Sequence, residues 1–270
     1  MTQPMNHLNK LESKSIYIIR ETYYRFKNLA LLWSIGKDST VLLWLCRKAF
    51  LGKIPFPVVH LDTGYKFKEI YDFRKKYEKL WNFNLIIGQN KKALEKGMGP
   101  DKGKFVCCNE LKTKTLKQVI KKHKFEALLL AIRRDEHGIR AKERYFSPRK
   151  EDFKWNYQNQ PIELWDLFKT KAKTEHHLRV HPMLHWTELD IWRYTEKEKI
   201  PVNKLYFSKN NNRYRSLGCY PCCAPIKSKA NTVKKIVQEL KTTTVSERAG
   251  RAQDKENAYN MQKLRSLGYM

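Results

Sequence analysis

The chain has 270 residues and a mass of 32.3 kDa, enough for one large domain, or a core domain with an appended lobe, whose core needs no disulfide staples. Its 41% hydrophobic and 30% charged residues, with 11 Gly and 10 Pro, exclude a low-complexity or disordered chain. No apolar run approaches the ~20 residues that span a bilayer, and Met1 to Lys10 lacks the apolar core of a signal peptide, so a soluble, cytoplasmic protein is expected. The 55 Lys and Arg against 27 Asp and Glu give +28, which suits a polyanionic partner or phosphorylated substrates. The surplus is spread along the chain without a basic tail, so a Lys-rich composition explains it equally well.

In chain order, Leu8, Leu11, Ile18, Ile19, Tyr23 and Phe26 recur at helical spacing and predict an opening amphipathic helix. A strand at Leu29 to Trp33, a helix from Ser39 to Phe50, a strand at Pro57 to Leu61, a helix from Phe67 to Trp81 and a strand at Phe83 to Ile87 follow. Gly88 to Phe105 reads as a loop of the length found beside active sites. Beyond it come a helix from Asn109 to His123, the apolar strand Glu126 to Ile132, and a charged stretch. Residues 147–174 form an irregular polar and aromatic insertion. Leu178 to Pro182 is a candidate last strand, Thr187 to Lys199 a helix capped by Thr187, and the tail from Asn231 is helical, with Asn231 and Asp254 as candidate caps. Strands alternating with helices predict an α/β fold: a doubly wound, mostly parallel sheet flanked by helices, with a helical carboxyl-terminal extension. The expected organisation is a nucleotide-binding domain over 1–200 and a cysteine-containing helical region over 201–270 packed on it.

Ser34-Ile35-Gly36-Lys37-Asp38-Ser39 lies between a predicted strand and the helix it feeds. Gly permits close backbone approach, the helix amino terminus offers free N–H groups, and Lys and Ser add donors, which together make a phosphate cradle. The spacing does not fit a Walker A loop, which has four residues between its Gly and Gly-Lys. An ordinary strand-to-helix turn is the plainer alternative.

SIGKDS resembles the PP-loop of the adenine-nucleotide alpha hydrolases, whose usual form is SGGKDS; here Ile35 replaces the first Gly. Within that superfamily it is similar to the small, ATP-binding subunits of GTPase-coupled sulfate adenylyltransferases. The likeness continues through LDTG at Leu61 to Gly64, RRDE at Arg133 to Glu136, RAKER at Arg140 to Arg144, HWTELDIW at His185 to Trp192 and SERAGRAQDKE from Ser246. It covers nearly the whole chain. The resemblance implies that Ser34 to Ser39 bind nucleotide phosphates and that Asp62, Thr63 and Gly64 face adenosine, at strand ends where open α/β sheets bind ligands. Arg133 and Arg134 end a strand on the same edge, and Arg140 and Arg144 fall four apart, so these four are candidates for binding sulfate or phosphate oxygens. Lys37, Arg133 and Arg134 are the candidate catalytic residues. Trp186, Asp190 and Trp192 are expected to pack a helix, and the SERAGRAQDKE tail to serve fold or subunit contact. His176, His177, His181 and His185 match no zinc-ligand spacing and are left as structural or surface residues.

Of six cysteines, Cys46 stands alone in a predicted helix and is expected in the core. Cys107-Cys108 and Cys219-x-x-Cys222 offer four soft ligands, the number a [4Fe-4S] cluster or, as the lesser option, a structural zinc requires. Cys223 competes with Cys222 as fourth ligand, and the spacing favours Cys222. The set also resembles that of iron-sulfur adenylylsulfate reductases, whereas many sulfate adenylyltransferase small subunits lack it.

The implied activity is transfer of AMP from ATP, with Mg2+, to sulfate, giving adenosine 5'-phosphosulfate and pyrophosphate. Because this is uphill and the chain has no GTPase motif, the resemblance implies a separate GTPase large subunit as partner. The alternative of an adenylylsulfate reductase needs a nucleophilic cysteine near the carboxyl terminus, and none follows Cys223. A tRNA-thiolating enzyme is a further alternative, favoured by the charge, although no RNA-binding module is recognised.

Overall fold

The computed structural model describes residues 6–138, 140–168, 177–251 and 260–268. The opening helix α1 (His7–Arg25) is capped by Asn6, whose side chain accepts from the Asn9 amide. There follow β1 (Leu29–Leu32), α2 (Lys37–Ala49), β2 (Val58–Leu61), α3 (Lys68–Trp81) and β3 (Leu85–Gly88). Next come α4 (Lys91–Glu95), α5 (Lys104–Cys108), α6 (Thr115–His123) and β4 (Ala127–Leu129), then β5 (Phe146–Arg149), β6 (His177–Val180) and α7 (Glu188–Glu198). Two short strands, β7 (Asn212–Arg213) and β8 (Ile226–Lys227), pair with each other, and α8 (Val233–Leu240) and α9 (Asn260–Ser266) complete the described elements.

The main sheet has the order β3-β2-β1-β4-β6-β5, parallel throughout except for β5, which runs antiparallel to β6 with Phe146 opposite Val180. All residues of β1, β2, β4 and β6 are buried, because helices cover a parallel sheet on both faces and the strands read as continuous rather than alternating apolar runs. α1 packs on α2, and α7 on both α2 and α8. Among the described residues no helix is long and apolar enough to cross a membrane.

Several elements differ from expectation. Helix 109–123 opens with a π-helical turn over Asn109–Lys114 before becoming α6, so one extra residue is accommodated just after the paired cysteines. The loop Gly88 to Phe105 contains α4, capped by Asn90, and a 3-10 turn at Pro100–Lys102. The insertion begins as the edge strand β5, held by β6, and only then turns irregular; its residues 169–174 lie outside the described ones, as does His176. The strand expected at Glu126 to Ile132 pairs over Ala127–Leu129 only, because Leu130 onward turns toward the carboxyl edge. α8 is capped by Thr232 rather than Asn231: its hydroxyl accepts from the Lys235 amide at 3.2 Å. Asp254 is outside the described residues. Thr187 caps α7 in a complete capping box with Asp190.

Candidate active site

From β1 the chain winds outward through β2 to β3, then returns to place β4 on the other flank of β1. The loops after β1 and β4 therefore diverge, and this topological switch point opens a crevice at the carboxyl edge of the sheet. A pocket lies there, lined after β1 by Ser34, Gly36, Lys37, Asp38 and Ser39, after β4 by Leu130, Ala131 and Ile132, and also by Lys66, Lys112, Arg140, Arg248 and Arg251.

The phosphate-loop segment is tightly specified. The Ser34 and Ser39 hydroxyls lie 3.0 Å apart, Ser39 donates to the Gly36 carbonyl at 3.2 Å, and the Lys37 amide donates to the buried Tyr206 hydroxyl at 2.8 Å. Tyr206 is held in turn by Trp192, their rings 5.4 Å apart at 81°. Gly36 is the N-cap of α2, so the helix begins at the cradle. Ile35 has φ 65, a left-handed conformation that costs a β-branched residue about 1–2 kcal/mol. Its side chain is 1% exposed within the core, and such burial contributes about 1.5–3 kcal/mol, enough to offset the strain.

Lys37 and Arg133 form the centre of a buried ion network. Lys37 Nζ contacts Glu247, with Asp38 at 3.3 Å and Glu188 at 3.9 Å. The Arg133 guanidinium contacts Glu247 as well, and reaches Asp38 and Asp135 at 2.7 Å each. Glu188 is also clamped by Arg215 at 2.7 Å. Burial would lower the Lys37 pKa, but Asp38, Glu247 and Glu188 outweigh it and hold it well above the ordinary value. Burial would likewise raise Glu247, and Arg133 and Lys37 hold it below the usual carboxylate range. Glu188 goes the other way, raised by burial and by the charge of Glu247.

A second group of cations on the pocket lining is built differently. Lys66, Lys112 and Arg251 surround Cys219, whose thiol lies 3.1 Å from the Thr63 hydroxyl. Burial opposes ionisation of that thiol, yet Lys112, Lys66, the Thr63 hydrogen bond and Arg251 bring it down to about 7. Burial lowers the Lys66 pKa, and Lys112 and Arg251 push the same way. Arg251 donates to Cys223 Sγ at 3.2 Å. Cys107, Cys108, Cys219 and Cys222 are all buried: burial and the neighbouring thiols push Cys107 up to about 12, and burial with the charge of Cys219 raises Cys222 as well. Among the described residues, however, no three His, Cys, Asp or Glu side chains converge closely enough to hold a metal ion. Cys46 is a fully buried core residue.

The remaining expected site residues are dispersed. Asp62 shapes its turn, accepting from the Gly64 amide and the Tyr71 hydroxyl at 2.9 Å each, with Arg74 at 3.4 Å; Gly64 takes φ 75. From that segment Leu61 and Lys66 line the pocket, while Asp62, Thr63 and Gly64 stand behind it. Arg133 lies completely buried beneath the pocket, its guanidinium occupied by carboxylates. Arg134 points to His185 and the Glu143 carbonyl, and Arg144 donates to the Pro161 carbonyl at 3.2 Å, so neither joins the lining. Arg140 does, contacting Glu136. His177 and His181 are buried in the sheet.

Residues 28–225 match the phosphoadenosine phosphosulfate reductase domain family. Over 98% of this chain and 98% of the relative's length, the sequence is 40% identical to sulfate adenylyltransferase subunit 2 of Parabacteroides distasonis, and a similar match, 39% identical over 99% of both chains, is found with the protein of that name from Sulfurimonas denitrificans. The chain belongs to the sulfate adenylyltransferase subunit 2 family. Solved structures agree on the fold: phosphoadenylyl-sulfate reductase from Candida auris superposes with TM-score 0.55 at 15% identity, covering 84% of this chain and 99% of that one. FMN adenylyltransferase from Candida glabrata superposes at 0.59 and 16% identity, covering 83% and 68%.

In this subunit 2 family member, six residues escaped sequence reasoning: Glu188, Glu247, Arg248, Arg251, Lys66 and Lys112. Glu188 lies in HWTELDIW, where Trp186 and Trp192 are buried as expected and Asp190 instead closes the capping box with Thr187, which masked it. Glu247, Arg248 and Arg251 lie in the SERAGR segment, expected to serve fold or subunit contact; ion pairs of Glu247 with Lys37 and Arg133, and the pocket lining by the two arginines, put it in the site instead. A cation-rich block with one acid, far from any phosphate loop, was the available signal.

Proposed function

We propose that this chain is the ATP-binding subunit of a sulfate adenylyltransferase. Sulfate oxygen attacks the α-phosphorus of Mg2+-bound ATP, an S–O–P linkage forms, the bond from the α-phosphorus to the α,β-bridging oxygen breaks, and the electron pair leaves with pyrophosphate. The observation that carries the reading is a switch-point pocket lined by two groups of cations, the Lys37 loop and the Lys66-Lys112-Arg251 group. In this reading Ser34, Ile35, Gly36, Lys37, Asp38 and Ser39 receive the β- and γ-phosphates, with Lys37 opposing the charge that grows on the leaving group. Sulfate sits near Lys66, Lys112 and Arg251, with Arg140 and Arg248 also on the pocket lining. Arg133 acts from below by orienting Asp38, while Arg134 and Arg144 stabilise the wall. The turn Asp62 to Gly64 sets the position of Lys66. Positioning and charge stabilisation account for the catalysis, since the protein forms no bond to the substrate.

The relatives' name numbers them as one subunit of a larger enzyme. A GTPase subunit on a separate chain is proposed as the partner, because the transfer is uphill and this chain has no nucleotide-hydrolysing motif of that kind. The four thiols supply the ligand number of a [4Fe-4S] cluster, but as arranged they do not close around one point, and no step of the reaction is routed through them. The test is an anaerobic assay with ATP, Mg2+ and labelled sulfate, with and without a candidate GTPase and GTP. Labelled adenosine phosphosulfate with equimolar pyrophosphate is expected; its absence beside an active partner, with sulfite released instead from supplied adenosine phosphosulfate and a thiol reductant, would replace this reading by the reductase.

A further inference from the structure

The two cations closest to the phosphate loop are already occupied. Lys37 is 2% exposed and Arg133 0% exposed. One carboxylate bridges them: Glu247 Oε1 accepts from Lys37 Nζ, and its Oε2 from Arg133 Nη2. Two oxygens on one central atom, held by an ammonium and a guanidinium, reproduce the way two oxygens of one phosphoryl group would be held. Resting on the phosphate-binding role given above to Lys37, we propose that Glu247 is a built-in surrogate for a nucleotide phosphate, displaced when the triphosphate enters and excluding sulfate from the phosphate end until then.

Three features support the exchange. When Glu247 leaves, Asp38 and Asp135 still hold Arg133 at 2.7 Å and Asp38 still lies 3.3 Å from Lys37, so both cations keep their orientation. Glu247 crowds Glu188, since both carboxylates face the Lys37 ammonium, and its departure relieves that repulsion. The strap bearing Glu247 is fastened on either side. Arg215 donates to the Val245 carbonyl at 2.5 Å, Arg248 pairs with Glu136 at 3.0 Å, and the Ala224 amide donates to the Gly250 carbonyl at 2.9 Å. A Cβ on Gly250 would meet the Ala224 carbonyl oxygen at 2.5 Å, so the strap also sits tight against its neighbour. Only the Glu247 side chain and its immediate backbone need turn out. A tethered carboxylate competes at high effective concentration. A lone dianion loses that competition, whereas a polyphosphate that also engages the loop amides wins it. The device thereby sorts two anionic substrates between two cationic ends of one pocket.

The test measures binding of inorganic pyrophosphate and of sulfate to the full chain in magnesium buffer, for the wild type, Glu247→Gln and Glu188→Gln. Glu247→Gln is expected to bind pyrophosphate about tenfold tighter and to admit sulfate in competition with it. Glu188→Gln alters a carboxylate that also faces Lys37, at 3.9 Å, but does not bridge it to Arg133, and is expected to shift pyrophosphate affinity less than about threefold. Equal shifts in both variants would reduce the effect to a general field and overturn the proposal, as would unchanged or weaker binding by Glu247→Gln. Hydrogen exchange on the wild type needs no variant to fold: pyrophosphate is expected to speed exchange across Ser246 to Ala249, and slowed or unaltered exchange there would overturn the surrogate. Failure of the wild type to bind pyrophosphate or ATP at all would overturn the nucleotidyl-transfer reading along with it.

Discussion

The two ends of the pocket solve the same problem, presenting positive charge to an anion, in opposite ways. At the loop end the cations are buried and matched by carboxylates: Lys37 and Arg133 face Asp38, Asp135, Glu188 and Glu247. At the far end Lys66 and Lys112 are set against each other and against Arg251, with a thiol at the centre. The first arrangement is a preorganised frame that exchanges one anion for another. The second gathers three cations around a thiol, so it should be the softer end, tuned by each charge separately.

If that contrast holds, the largest effect comes from the frame. Lys37→Ala should reduce turnover by about 10²–10³-fold, the scale for removing one group that stabilises developing charge. It should also destabilise the fold by about 3–5 kcal/mol, because Glu247 would remain as a buried carboxylate with one partner fewer. Denaturant titration checks the second part, and adding Glu247→Gln to Lys37→Ala should restore most of the stability while leaving turnover low. A stable, active Lys37→Ala protein would break the frame. At the soft end Lys66→Ala should raise KM for sulfate about tenfold and change KM for ATP less than about twofold. Equal rises in both constants would remove the division of labour between the ends.

The same contrast explains what was legible in the sequence. The frame's first half is local: a Gly, a Lys and two Ser between a strand and a helix state their chemistry in six consecutive residues, and the switch point follows from the order of alternating strands. Thr187 and Asp190 were equally legible, since a capping box is closed within four residues. The frame's other half was not, because Glu188 and Glu247 acquire their meaning only when α7 and the SERAGR strap are folded onto α2. Arg133 and Arg134 show the reverse. As adjacent arginines ending a strand they read alike, yet one turns under the loop to meet three carboxylates and the other out toward His185. Alternation of side chains about an extended backbone separates neighbours, and a motif without its partners does not say which one faces the ligand. The far end was read only through its cysteines, since no spacing rule links Lys66, Lys112 and Arg251.

Cys219 reports on that far end directly. Its thiol is depressed to about 7 from an ordinary value of 9.0, burial opposing and Lys112, Lys66, the Thr63 hydroxyl and Arg251 favouring the thiolate. The folded pKa lies below the unfolded one, so this group's contribution to stability is fully present above pH 9 and is lost as the pH falls through 7. Alkylation of Cys219 by iodoacetamide should therefore show a midpoint near pH 7, shift upward in Lys66→Ala, and be blocked by sulfate. A midpoint at the ordinary thiol value would mean that the cations do not act together. Cys46, alone and pushed upward by burial, should stay unreactive under the same conditions.

The smallest effect tests the stiffness of the frame. Ile35 occupies a left-handed position at φ 65, where its backbone is strained, and its 1% exposed side chain anchors the loop in the core. Truncation to Ala removes the anchor but keeps the strain, because any Cβ suffers it; truncation to Gly removes both. At an ordinary strand or helix position Ala is more stable than Gly by about 0.5–1 kcal/mol. Here the order should reverse, Ile35→Gly exceeding Ile35→Ala by about 1 kcal/mol in denaturant midpoint analysis, with both below the wild type. Because Ile35 adjoins Gly36, which caps α2, the Gly variant should also loosen the cradle and raise KM for ATP while leaving that for sulfate unchanged. If the usual order held instead, the loop would not be under strain, and the rigidity attributed to the phosphate end would have to come from the ion network alone.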